Sequence, residues 1–278
     1  MKTKSFVVSG ALGATLLLNG CIPFHVIRGD GDLVTEEINV GDYSEIEASL
    51  SSNMEINYTQ SSEATALTVF TDRNILEKYD IRVEGNKLKI MPKEEYMNNV
   101  RFKVSEYNAM FFPTKFIVTT GSTGLRRIDT AGSVDFTVDG ALRTDELKIT
   151  AAGNAKINLR DTVTAGDIRV SVAGSSVLNA PALEAHSFDG DIAGSGRMNM
   201  GGHIKAVSFE IAGSGKIRAF DLQTEDVDVD IAGAGNIEIS VSNSIRAEIA
   251  GAGSIRYKGD PPHIRKDVVG SGSIKKAD

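Results

Sequence analysis

Ile192-Ala-Gly-Ser-Gly-Arg-Met198 is followed 19 residues on by Ile211-Ala-Gly-Ser-Gly-Lys-Ile217, and 20 residues after that by Ile231-Ala-Gly-Ala-Gly-Asn-Ile237. The Ala-Gly-Ser core, or a near variant, recurs eight times in the second half of the chain, centred on Gly132, Gly153, Gly174, Gly194, Gly213, Gly233, Gly251 and Gly270. Steps of 18 to 21 residues are too short for a domain. A unit of that size cannot bury a core by itself and must stack on its neighbours.

The position four after each central glycine holds Phe136, Ile157, Leu178, Met198, Ile217, Ile237, Ile255 and Ile274. The position two before holds Thr130, Ala151, Val172, Ile192, Ile211, Ile231, Ile249 and Val268. Apolar residues thus alternate at period two on both sides of the glycine, which is the periodicity of a strand with one face buried and of no helix. In the later repeats a second glycine, from Gly196 to Gly272, occupies an inward phase two residues on. That placement predicts a sharp corner with no room for a side chain. Parallel strands about 4.8 Å apart make eight such rungs roughly 40 Å long. The expected fold is all-β: a single-stranded parallel β-helix with about 20 residues per rung. Pro181 and Gly259-Asp-Pro-Pro-His263 fall between repeats, where proline costs the ladder nothing, and mark return loops.

Residues 1 to 20 differ in kind. Lys2 and Lys4 precede the apolar run Phe6 to Leu18, which closes at Leu18-Asn19-Gly20-Cys21. A basic start, about a dozen apolar residues and a small residue at the cut describe a secretory signal, too short for a spanning helix. The chain's one cysteine stands at the cut, and this resembles the bacterial lipoprotein signal, in which that cysteine becomes the lipid-bearing first residue; Asn19 departs from the usual small or apolar residue. The expectation is a signal peptide over 1–20, lipid attachment at Cys21 and a tether over 21–33. Loss of two lysines and no acid takes the formal charge from −7 to −9. Such a surface repels phosphate backbones, so nucleic acid is excluded as a partner.

Upstream, Ile46, Ala48, Leu50, Ser52, Met54, Ile56 and Tyr58 alternate in the phase of a repeat, with Ser51-Ser-Asn53 where Ala-Gly-Ser would stand. The 80 residues from Ser52 to Gly132 leave room for about three further degenerate rungs. Strand-like runs at 67–70, 81–83, 88–90 and 116–119 supply them. One continuous β-helix is expected over 34–278, regular from 127 to 275 and degenerate in its N-terminal half. Tyr43-Ser-Glu-Ile46, Val69-Phe-Thr-Asp-Arg-Asn-Ile-Leu76, Gly85-Asn-Lys-Leu-Lys-Ile90 and the later Ile-Ala-Gly-Ser-Gly-x-Ile units resemble the putative auto-transporter adhesin, head GIN domain family, over roughly residues 34 to 275. The resemblance implies a right-handed β-helix and an envelope location. It carries no catalytic or binding residue.

Chemistry is sparse. His25, His186, His203 and His263 are scattered without a partner at metal-ligand or triad spacing, and no nucleophile elbow, zinc helix or second cysteine occurs. No cofactor motif is present, and the glycines lack phosphate-loop spacing. The most chemical feature is an outward column three before each glycine: Asp129, Thr150, Ser171, Asp191, Glu210, Asp230, Glu248 and Asp267. Across the corner lie Lys156, Arg197, Lys216, Arg218, Arg256 and Lys275. A solvated face balanced by Arg127, Lys148, Arg169 and Arg246 explains the acids; a calcium site at Asp191, Glu210, Asp230 and Glu248 is the alternative. The position before each glycine is alanine in seven of eight units, and the one after is small, as a tight corner requires.

Three readings follow. The leading one is a non-enzymatic, lipid-anchored protein of the bacterial cell envelope, on the periplasmic or outer side of the outer membrane, whose β-helix binds an envelope protein or glycan as an adhesin. The second is a polysaccharide-active β-helix enzyme, which rests on fold analogy. The third is a structural solenoid whose ends or small-residue strip assemble a homo-oligomer.

Overall fold

The computed structural model describes residues 24–63, 67–96 and 108–277. Cys21 and the signal and lipidation features around it lie outside the described residues. Strands dominate, joined in one 18-stranded sheet and one two-stranded sheet. Helical structure among the described residues is limited to the turns Arg73–Leu76 and Glu94–Tyr96.

The repeat register holds through the regular half. Gly132 pairs with Gly153, Gly153 with Gly174, and each later central glycine with the next, in parallel strands up to Gly251 and Gly270. The chain is a parallel β-solenoid. The column four after the glycine, from Phe136 to Ile255, is at most 1% exposed. Each large apolar side chain so buried contributes on the order of 1.5–3 kcal/mol.

Two constraints make the corner glycine-specific. At Gly153 the backbone takes φ +99, where an L side chain is strained, and a Cβ there would stand 2.7 Å from the carbonyl oxygen of Gly132. That oxygen accepts from the Asn154 N–H at 2.9 Å, so the ladder runs through the corner unbroken.

The second glycine has a different cause. A Cβ on Gly215, Gly235 or Gly253 would meet the Cγ2 of Ile192, Ile211 or Ile231, the residue two before the glycine in the preceding rung, at 2.7 to 2.9 Å. Where that partner is alanine, the position holds a side chain larger than hydrogen: by register Ala151 precedes Ser176 and Ala48 precedes Val134 in this place. The interior is filled by trading volume between adjacent rungs. Gly190 is a further instance, its space taken by the Phe188 and Phe209 rings, whose centroids are 5.8 Å apart at 62°.

The N-terminal half departs from the expected three degenerate rungs. Glu45–Gln60 stacks directly on Arg127–Val138, with Leu50 opposite Gly132 and a register shift between Leu50 and Met54. The Ser51-Ser-Asn53 stretch is therefore extra chain bulging at the corner, with Leu50 in the glycine column. Above it the next layer is split: Lys87–Pro92 continues one flank and Phe116–Ser122 the other. Each then turns antiparallel, Tyr79–Glu84 against Lys87–Pro92 and Leu67–Asp72 against Phe116–Ser122, with Leu33–Ile38 outermost. The expected strand runs exist, but antiparallel pairing makes a cap of most of them. Of the stretch expected as a tether, Phe24–Arg28 runs as a strand beside Asn108–Phe112.

One buried carboxylate ties the cap together. Asp72 is fully buried and accepts from the Gly31 N–H at 2.8 Å, the Thr114 N–H at 2.7 Å and the Thr114 hydroxyl at 2.8 Å. These donors hold its carboxyl below the usual range against the opposing effect of burial.

Candidate functional site

Because side chains alternate, every outward position of the solenoid becomes a column at rung spacing. The acidic column is in register: Asp191 pairs with Glu210, Glu210 with Asp230, Asp230 with Glu248, and Glu248 with Asp267. Partial desolvation raises the Asp191, Glu210 and Asp230 carboxyls, and neighbouring acids, Asp189 for the first and Asp191 and Asp230 for the second, raise them further. For Asp230 the added push comes from Asp228 and Glu248, with Arg246 opposing it. The expected basic neighbours offset only part of the column. Arg127 meets Asp129 at 2.6 Å and Arg246 meets Glu248 at 2.7 Å, while Asp191, Glu210, Asp230 and Asp267 have no ion pair among the described residues. Nor, among those residues, do three or more His, Cys, Asp or Glu side chains form a group that could hold a metal ion. The acids are a file along one flank, with the outward alanines Ala212, Ala232 and Ala250 beside them in a shallow trough of about 410 Å³.

The opposite flank, beyond the corner, is built differently. Three and five positions after the glycines it carries Lys156 and Asn158, then Asn179, then Arg197 and Asn199, then Lys216 and Arg218, with Arg256 and Lys275 further on. The asparagines form a directional ladder. Asn199 Nδ2 donates to Asn179 Oδ1 at 2.7 Å, Asn179 to Asn158 at 2.9 Å, and Asn158 to Asp135 at 2.8 Å. At its N-terminal end this face opens into a polar hollow of about 430 Å³ lined by Glu55, Asn57, Asp135, Lys156 and Asn158. Near its other end Phe220 stands with Lys258 Nζ 4.5 Å and the Arg256 guanidinium 5.6 Å from its ring centroid. The sequence reading found six of the cations; the amide ladder, Lys258 and Phe220 it did not. Asparagine recurring five after the glycine in three consecutive repeats was the available signal.

The four histidines are exposed and stand on separate rungs or in the cap. Buried tyrosines Tyr43 and Tyr79 have their hydroxyls raised by burial, and Tyr43 shares a 2.6 Å hydrogen bond with Thr120. They are part of the cap's interior.

The model of the family described as putative auto-transporter adhesin, head GIN domain, matches residues 42–180 and 148–261. Among solved structures, a "putative lipid binding protein" from Parabacteroides distasonis ATCC 8503 is 33% identical, with a TM-score of 0.84, and covers 91% of this chain and 100% of its own. A "putative adhesin" from Parabacteroides merdae ATCC 43184 is 27% identical at a TM-score of 0.80 with the same coverage. Another "putative adhesin", from Parabacteroides distasonis ATCC 8503, is 31% identical at 0.78, also over 91% and 100%. None of the curated proteins matches the chain.

Proposed function

The chain belongs to the putative auto-transporter adhesin, head GIN domain family, and from that premise we propose that it is a non-enzymatic adhesive protein of the bacterial cell envelope, anchored by lipid at Cys21. The observation that carries the reading is similarity over 91% of the chain to solved proteins described as putative adhesins. The geometry supports it: the chemistry-bearing side chains are spread in columns along the solenoid. Glycoside chemistry needs two carboxylates on opposite sides of a sugar bond, whereas the acids here stand in file on one flank. Long flat columns suit extended contact with a surface or polymer.

The test has two parts. Fractionated cells should yield the wild type in the outer membrane and Cys21→Ser in soluble fractions; one acyl chain holds weakly, so two or more are expected. A strain lacking the protein should adhere less to its growth surface or to neighbouring cells, and wild-type protein should restore adhesion. Stable membrane association of Cys21→Ser would refute the anchor, and unaltered adhesion of the deletion strain would refute the adhesive role.

A further inference from the structure

Many basic side chains of the cap and of the acidic flank are committed to nearby acids: Arg82, Lys87, Lys89, Arg126, Arg127, Arg169 and Arg246 all form ion pairs. The flank beyond the corner is different. Among the described residues, Arg197, Lys216, Arg218, Lys258 and Lys275 have no acidic partner, while Lys156 pairs with Asp135 at 3.7 Å and Arg256 with Glu238 at 3.2 Å. Of these, the six cations from Arg197 to Lys275 share the outward phase of four of five consecutive rungs, the rung between them carrying Asn236 and Glu238, in a protein whose net charge is −7. Uncompensated positive charge gathered on one face of an acidic molecule raises the local concentration of anions.

The same face continues into the asparagine ladder. Asn158 and Asn179 each spend one N–H and one oxygen lone pair within the ladder and Asn199 spends one N–H, leaving a second N–H and at least one lone pair on each for a ligand. Donor–acceptor pairs therefore repeat at rung spacing, about 4.8 Å, over Asn158, Asn179 and Asn199. Hydroxyl groups, which both donate and accept, complement such pairs. From Asn158 to Lys275 the face spans seven rungs, roughly 30 Å. Its outward side chains there are polar or charged apart from Val177, Pro181 and the half-buried Phe220, too little apolar surface for insertion into a bilayer or for the core of a protein interface.

We propose that this face binds a linear acidic polysaccharide laid along the solenoid axis, its carboxylate or sulfate groups on the cations from Arg197 to Lys275 and its hydroxyls on the Asn158–Asn199 ladder. Arg256 and Lys258 both stand over the Phe220 ring, which holds these two anion-binding groups side by side. Glu55 and Asp135 at the N-terminal end of the face bound the seat, since they repel an anionic chain. The proposal rests on the adhesive reading and names its ligand class.

The experiment uses the full chain purified in detergent and three probes: polygalacturonate, neutral dextran and phosphatidylglycerol vesicles. Titration with polygalacturonate should show binding that weakens as salt rises, with little or no binding of dextran. Arg218→Glu with Arg256→Glu should weaken it about tenfold or more. Arg169→Glu with Arg246→Glu, on the other flank, should leave it unchanged. Replacing Asn158, Asn179 and Asn199 by alanine should weaken it severalfold with the cations intact. Circular dichroism melting should be close to wild type for the charge variants, whose side chains are exposed. Indifference of polygalacturonate binding to the Arg218/Arg256 reversal would overturn the proposal, as would tighter binding of the vesicles or equal binding of dextran. If deletion-strain adhesion is restored equally by wild type and the double reversal, the polysaccharide assignment fails while the adhesive role stands; if wild type restores nothing, the adhesive role itself fails.

Discussion

Gly235→Ala and Ile211→Ala, alone and together, test the volume trade between rungs. Gly235 has no positive φ, so alanine is conformationally tolerated, and it restricts the unfolded chain by about 0.4–1 kcal/mol in favour of folding. Against that, the new Cβ would sit 2.8 Å from Ile211 Cγ2 and 3.2 Å from both Ile211 Cδ1 and Ile231 Cγ2. Overpacking of this kind costs about 1–3 kcal/mol, so the single variant should be destabilised by about 1–2 kcal/mol. Ile211→Ala alone, at a residue 2% exposed, should lose about 2–5 kcal/mol to lost burial and a cavity. With both changes the Ile211 contacts vanish and the alanine methyl enters the vacated space. Gly235→Ala should then be neutral or stabilising, a coupling of about 1–3 kcal/mol. Guanidinium midpoints at an unchanged m-value measure it. Additivity within about 0.5 kcal/mol would refute the reasoning. Gly233→Ala is the control: φ is +129 there and the obstacle is the Gly213 carbonyl oxygen, so no side-chain change should rescue it.

Ile237 is fully buried in the uninterrupted apolar column, so Ile237→Ala should cost about 2–5 kcal/mol and Ile237→Asp should abolish cooperative folding, read as loss of the thermal transition. The raised carboxyls of Asp191, Glu210 and Asp230 mean that the folded state binds protons more tightly than the unfolded chain there, so their contribution to stability falls as pH rises from the ordinary carboxylate range toward neutrality. Glu210→Gln with Asp230→Asn should therefore melt higher than wild type at neutral pH, by under about 1 kcal/mol for such solvated groups, and the difference should vanish in acid; a lower neutral-pH midpoint would contradict it. Asp72→Ala, which strands the Gly31 and Thr114 donors in the cap, should lower the midpoint by an amount equivalent to about 3 kcal/mol or more, whereas an unaffected midpoint would show that the clamp is dispensable.

The regular half was legible because its signal is periodic twice over. Strand alternation orients each residue and the 18–21-residue spacing aligns the rungs, so the register of Asp191, Glu210, Asp230 and Glu248 followed from counting. The cap was not legible, because a run such as Leu67–Asp72 reads as a strand whether its partner is parallel or antiparallel. Its pairing is settled by closure of the solenoid end, where bending strands back antiparallel leaves less open edge than another parallel rung. The bulge at Ser51-Ser-Asn53 misled for a related reason: two extra residues preserve the alternation while shifting the corner from Ser52 to Leu50. The reason for the second glycine was hidden as well. Gly235 looks like part of a corner motif until the stacking places Ile211 against it.

What a column can recognise follows from how it is made. Inward positions are held to a narrow set of residues by the rungs above and below, as the trade between Ile211 and Gly235 illustrates, so they carry no freedom for function. Outward positions are released from packing but tied to the same spacing, and any residue type recurring there becomes an array with a fixed repeat and direction. Such an array is poorly shaped for a small ligand, which needs groups converging from several sides, and well shaped for a guest that is itself periodic. Each contact on an exposed column is worth little alone. Contacts tied in series to one chain act at high effective concentration, so modest ones add to useful affinity without a pocket. The two flanks of this solenoid differ in the way that argument requires: the acids of one are partly answered by Arg127 and Arg246 on their own strands, while on the other Lys156 and Arg256 are answered by Asp135 and Glu238 and, among the described residues, Arg197, Lys216, Arg218, Lys258 and Lys275 are left for a partner.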